Sequence, residues 1–261
     1  MKKHTRALTV ISAAAVGLTL GSTTAWSEGG AEPELELATL KFFIEFNETD
    51  EDIGVQAVLG GEPYKRLVAR DPNGSRILQL HPRRSLRRQG LSDFFFESAE
   101  PALSEFSMAR FLRRFPEGVY EFETITLDDV EQDGDATFTH IIPAGPAIVS
   151  PTDGATGIDS GSPLSIVWQP VTTTTSLNPP QLACATDGST ACTIVAYQVI
   201  VTKDAEGERL RVYSVDMPPD ATSATVPTDF MEPGVEYELE ILAVEESDNQ
   251  TISIVFFTTA E

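Results

Sequence analysis

Apart from carboxylates, this 261-residue chain is poor in groups that do chemistry: it carries 40 Asp and Glu, 18 Lys and Arg, three His and two Cys. His4 falls in a segment expected to be removed. His81 and His140 remain, and neither has a second His or a Cys at metal-ligand spacing. No Gly-x-Ser-x-Gly elbow marks a nucleophile; in Gly157-Ile-Asp-Ser-Gly161 the serine stands one place too far on. A phosphate-binding glycine loop is also lacking. A glycosidase needs two carboxylates facing each other across a sugar cleft. Among so many acidic residues, spacing alone singles out no pair. We therefore assign no catalytic residue and no cofactor, and read the chain as a non-enzyme.

Three local clusters remain. Asn47, Glu48, Asp50, Glu51 and Asp52 gather four carboxylates and an amide in one strand-to-strand loop. Such oxygen ligands suit weak Ca²⁺ binding, with Kd around 10⁻⁴–10⁻³ M in extracellular modules, although the spacing is not that of an EF-hand. A solvated acidic turn is the commoner meaning of such a run. Asp128-Asp129 and Asp133-Gly-Asp135 form a weaker version of the same pattern. Arg83, Arg84, Arg87 and Arg88 place four guanidiniums in six residues of an acidic chain. They read either as an anion-recognition patch for polysaccharide, phosphate groups or an acidic partner, or as partners for the chain's own carboxylates. An exposed dibasic processing site is a third reading. The third cluster is Cys184 and Cys192, close in sequence; in an exported chain they read as a disulfide. Closing so short a loop contributes at most about 2–3 kcal/mol, so the bond clips a loop and does not hold the fold. Asn47-Glu-Thr and Asn249-Gln-Thr match the glycosylation pattern, but nothing further is built on them.

Export is read from the N-terminus. Lys2, Lys3 and Arg6 precede the apolar run Ala7–Leu20, and small residues at Thr23, Ala25 and Ser27 offer two cleavage sites. The pattern predicts a cleaved signal peptide over residues 1–27, with an uncleaved anchor or buried helix as the alternative. The run is shorter than the roughly 20 residues a membrane helix needs, and no later run is longer. A transmembrane segment is therefore not expected in the mature chain, which should be secreted, periplasmic or extracellular. The formal charge is −22. That excess argues against nucleic acid, whose phosphates need cations, and against adsorption to anionic lipid. It fits a protein kept soluble by self-repulsion that salt screens.

Two β-rich units must position these residues. The first is expected over residues 28–143, with strands at Leu35–Phe46, Ile53–Leu59, Tyr64–Arg70, Arg76–Leu80, Phe94–Glu97, Val119–Leu127 and Thr137–Ile142. A phase change near Thr39 suggests a bulge. Turn signals lie at Gly60-Gly61, Asp71–Gly74, Pro116–Gly118 and Asp133-Gly134. One helix is expected near 104–115, capped by Ser104 and ended by Pro116. The second unit, over 144–261, shows seven short strands in about 115 residues, the sandwich pattern. The expected fold is mostly β, two sandwich-like units.

In the second unit, Met231-Glu-Pro-Gly-Val-Glu-Tyr237 and the strand after it resemble the corner of a fibronectin type III domain. Met231 stands for the usual Leu and Val235 for the usual Thr. Trp168 resembles the family's strand B tryptophan, after Pro151 and Gly154 at strand A, and Tyr197–Thr202 resembles strand C. The resemblance implies a sandwich in which Tyr237 bonds back to the backbone at the corner between strands E and F. It departs from the family in the long connection 171–193, which contains both cysteines and is a candidate binding loop. The resemblance implies adhesion, binding of protein or glycan, or a spacer role. The leading expectation is thus an exported binding or scaffolding protein of the envelope or extracellular space. Its rivals are a glycan-active enzyme or accessory subunit, and a calcium-dependent matrix subunit.

Overall fold

The computed structural model describes residues 35–203 and 209–261, so the expected signal peptide lies outside the described residues. The first unit comprises β1 (Leu35–Glu36), β2 (Thr39–Asn47), β3 (Asp52–Arg70), β4 (Arg76–Leu80), α1 (Arg84–Gln89), β5 (Leu91–Glu97), α2 (Met108–Arg114), β6 (Gly118–Thr126) and β7 (Glu131–Phe138). Alternation sets the facing of β2: Phe42, Ile44 and Phe46 enter the core with Ile53, Val55 and Ala57 of β3. The sheet folds over on itself, so the Phe42 ring lies 4.6 Å from Tyr120 and 5.0 Å from Phe138.

Two expected turns are strand interior. Gly60-Gly61 sits inside β3, a strand of 19 residues. The first half of β3 pairs with β2 and β5 and the second with β4 and β6, the register shifting between Gly60 and Arg66. The glycines mark close approach: a Cβ on Gly61 would stand 3.1 Å from Leu37 Cδ2. Asp133-Gly134 likewise lies within β7, where a Cβ on Gly134 would meet Leu40 Cδ2 at 2.9 Å. The chain reverses earlier, at 127–130, with Asp129 at φ 65° and Val130 N donating to Thr126 Oγ1 at 3.1 Å. The helix starts later than Ser104 predicts, because Ala102 O already accepts from Glu105 N and Phe106 N at 2.8 and 3.0 Å in a preceding turn.

The second unit comprises β8 (Ile148–Ser150), β9 (Ala155–Ile158), β10 (Leu164–Trp168), β11 (Cys184–Ala185), β12 (Cys192–Lys203), β13 (Arg211–Met217), β14 (Ser223–Val226), a 3₁₀ turn at Thr228–Phe230, β15 (Glu236–Glu245) and β16 (Gln250–Thr259). One sheet runs β14-β10-β8 and the facing one β13-β12-β15-β16. Their inner faces enclose Ile166, Trp168, Tyr197, Val199, Leu239, Ile241 and Phe257. In fibronectin terms the sheets are E-B-A and C′-C-F-G, with Trp168 on B. Burying each of these large side chains is worth about 1.5–3 kcal/mol, which is why so few strands suffice.

The sheet that contains β16 continues into the first unit. β16 lies parallel to β2, pairing Gln250 with Glu45, Thr251 with Phe46 and Ile252 with Asn47. Asn249 locks the seam: its Oδ1 accepts from Ile44 N at 2.8 Å, and its Nδ2 donates to Thr139 O at 3.1 Å and Ile141 O at 2.9 Å. That residue is fully buried, so its glycosylation pattern is not presented at the surface.

Candidate functional site

The four clustered arginines sit on one projecting connection between β4 and β5. Arg84, Arg87 and Arg88 belong to the short helix α1 and Arg83 immediately precedes it; all four are exposed. No described carboxylate pairs with any of them, although ion pairs form elsewhere, as Lys65–Asp129 and Arg211–Glu232 do at 2.5 and 2.6 Å. Arg84 holds φ at 52°, a conformation seldom adopted by a side-chain-bearing residue. Leu86 stands out on the same turn at 48% exposure. The group is thus a cationic knob without a described ion pair, carried between two strands that both pair with β3. Chemically it can take phosphate, sulfate or carboxylate by paired N–H donors.

The acidic turn is arranged differently from a cation cage. Asn47 Oδ1 accepts from Thr49 N and Asp50 N, each at 3.0 Å, while Asn47 Nδ2 donates to Asp50 Oδ2 at 3.2 Å. Glu48 turns away and accepts from Gly145 N of the second unit at 2.6 Å. Glu51 takes φ 53° at the tip. Among the described residues, no group of three or more His, Cys, Asp or Glu is placed to hold a metal ion.

The corner of the second unit is built as the resemblance implies. The Tyr237 hydroxyl accepts from Glu232 N at 2.8 Å, and its ring stacks on Phe257 at 5.5 Å. Glu232 is flanked by Lys203 and Arg211 at 2.7 and 2.6 Å. The hydrogen bond from Lys203 is the largest of the influences that lower its pKa. Cys184 and Cys192 form the disulfide, directly opposite one another in a parallel bridge between β11 and β12. The long connection they clip is only half a surface loop. Its first part is strapped to the segment joining the units: Ala144 N donates to Thr173 O at 3.0 Å and Thr175 N to Ile142 O at 2.9 Å. Thr174 and Thr175 are buried, and Asn178 Nδ2 donates to His140 O at 2.9 Å. Buttressing is what this part of the connection does, through its backbone and the buried Thr174 and Thr175; the outer turns around 176–181 and 186–189 lie mostly in solvent.

The junction also gathers carboxyls that the sequence did not single out. Glu45 on β2 is 3% exposed, and burial pushes its carboxyl up to about 7 against the Gln250 hydrogen bond, with Glu97 and Asp52 adding like charge. Glu240 on β15 is pushed up to about 9 by burial, then by Glu238 and Glu45. Glu245, fully buried at the end of β15, is raised to about 7 by burial despite accepting from Ser247. A charged residue inside an apolar strand, as in Phe42-Phe-Ile-Glu45-Phe46, is the one signal that could have found them.

No protein-family model and no curated protein matches the chain in sequence. Similar solved structures do exist. A chicken CNTN1 structure of domains FN1–FN3 aligns at TM-score 0.32 and 11% identity, over 89% of this chain and 66% of that one. A two-domain fibronectin type III segment of chicken tenascin aligns at TM-score 0.27 and 11% identity, over 87% and 98%. The BSP domain of a biofilm-associated protein aligns at TM-score 0.26 and 13% identity, over 86% of this chain and 30% of that one. Overlaps this loose carry nothing about activity. The fibronectin type III-like fold of the second unit is carried by its own strand order, the strand B tryptophan and the corner tyrosine.

Proposed function

We propose that the chain is an exported, non-catalytic binding module of the cell envelope or extracellular space, which takes an anionic protein or glycan partner through the Arg83–Arg88 loop. The observation that carries this reading is a set of four exposed guanidiniums without a described ion pair in a chain of net charge −22. In so acidic a molecule, internal pairing is the easy fate of an arginine. Leaving four together on one tip sets up a local field opposite to that of the whole surface. The fibronectin-like scaffold and the disulfide support an extracellular setting, where such bonds persist. No cofactor is part of the reading; weak Ca²⁺ at Asn47–Asp52 would act on the neighbouring seam and not on the arginines.

Co-sedimentation with cell-envelope polysaccharide tests this, with calcium, with chelator and across a salt series. The wild-type chain should be retained saturably and released at high salt. A variant with Ala at Arg83, Arg84, Arg87 and Arg88 should lose most retention, on the order of tenfold or more in affinity, since each charge-assisted bond is worth about 1.5–3 kcal/mol. Retention indifferent to the arginines would transfer the contact to the outer turns of the 171–193 connection. No retention in any condition would overturn the envelope reading.

A further inference from the structure

The two units meet along a narrow seam. Three residue pairs between β2 and β16 form its backbone part, and Lys41, Glu48, Thr139 and Asn249 add side-chain bonds across it. Two carboxyls lie in this seam almost without solvent, Glu45 from the first unit at 3% exposure and Glu245 from the second at 0%. Each belongs to a connection that crosses between units. Glu45 accepts from Gln250 Nε2. Glu245 accepts from Ser247 Oγ, which shares a 2.7 Å hydrogen bond with Thr139 Oγ1. One oxygen of Glu245 has no partner at all.

The groups facing these carboxyls are acidic or neutral. Around Glu45 stand Glu97 of β5, Asp52 and Gln56 of β3, Gln250 of β16 and Glu240 of β15. Around Glu245 stand Glu246, Ser247 and Asn249. The cation at the seam, Lys41, is engaged by Asp248.

We propose that the junction is a proton-controlled latch: with Glu45 and Glu245 protonated the seam is closed, and loss of their protons to solvent lets the two units part. A buried carboxylate beside other carboxylates is destabilised, whereas the protonated acid keeps its hydrogen bond and carries no charge. The direction follows from linkage. Both groups are raised from 4.5 to about 7 in the closed seam. Between those values the closed seam holds protons that an open one has released. Its advantage is full below about 4.5, falls as pH rises, and levels off above about 7. The latch is independent of the arginine loop, so either idea can fail alone.

Small-angle scattering and thermal unfolding of the full chain from about pH 5.5 to 8.5, at constant ionic strength of about 0.15 M, test it. The wild type should be compact with one transition at the acid end, then expand and unfold in two steps above about 7. The Glu45→Gln, Glu245→Gln double variant carries neutral groups of the same shape and should stay compact throughout. Asp220→Asn, which removes an exposed charge, should behave as wild type and so control for bulk repulsion. A wild type unchanged across the range overturns the latch, as does a double variant that opens with the wild-type midpoint. If the double variant does not fold, the single Glu45→Gln must still shift the midpoint upward; an unshifted midpoint also overturns it.

Discussion

Tyr237 shows how one hydroxyl fixes a chain direction. Its ring is buried in the sandwich while its oxygen accepts from Glu232 N, five residues back, so the corner is tied to the strand it feeds. Tyr237→Phe keeps the ring and leaves that N–H without its acceptor. The expected loss is about 1–3 kcal/mol, read as a lower denaturant midpoint with an unchanged slope. Asn249 does the same work between units, satisfying its amide oxygen and both of its amide protons where no water reaches. The buried glutamates are the opposite case. Burial raises them against the hydrogen bonds they accept, which makes them sensitive to protons.

Among the elements, the connection 171–193 shows how sequence length misleads about role. Thr173 and Thr175 bond to Ala144 and Ile142 with Thr174 opposite Pro143, so this stretch acts as a brace. The disulfide holds the return of the connection against β12. Reduction should therefore weaken the molecule by no more than about 2–3 kcal/mol, given the short loop closed. Hydrogen exchange should rise around Ala183–Ala185 while Val199–Val201, paired on both sides by β13 and β15, stays protected. Exchange that rises equally in both places would show that the bond holds the sandwich and not the brace. β3 carries the other lesson. A Gly-Gly pair reads as a turn because glycine is free of Cβ sterics, yet here neither glycine takes a positive φ, and the missing Cβ makes room for Leu37 and Gln132 against one strand that serves both halves of the first unit.

Across the molecule, one run of strands passes from the first unit through β2 and β16 into the second. The arginine loop is therefore presented from a continuous sheet rather than from a bead on a linker. Charge is spread unevenly beyond the expected signal peptide: 12 of the 15 Lys and Arg after residue 27 precede residue 144, and ten of those 12 are arginines between 66 and 114. Self-repulsion among the remaining carboxylates opposes compactness and is screened by salt. Raising NaCl from about 0.05 to 1 M should therefore raise the melting temperature by several degrees, measured by calorimetry. A melting temperature that falls with salt would mean that ion pairs such as Lys65–Asp129 outweigh the repulsion.

The mostly β fold, the corner around Met231–Tyr237, the Trp168 position and the Cys184–Cys192 bond were legible because each is written locally, in alternation, in a turn, or in two residues eight apart. The arginine cluster was legible as composition, but its freedom from ion pairs was not, since whether a guanidinium finds a carboxylate depends on residues far along the chain. The seam was invisible for the same reason. Glu45 and Gln250 stand 205 residues apart, and only pairing between β2 and β16 brings them together. Burial, and with it the raised affinity of Glu45 and Glu245 for protons, is a property of what surrounds a side chain, which the order of residues does not contain and the folded packing supplies.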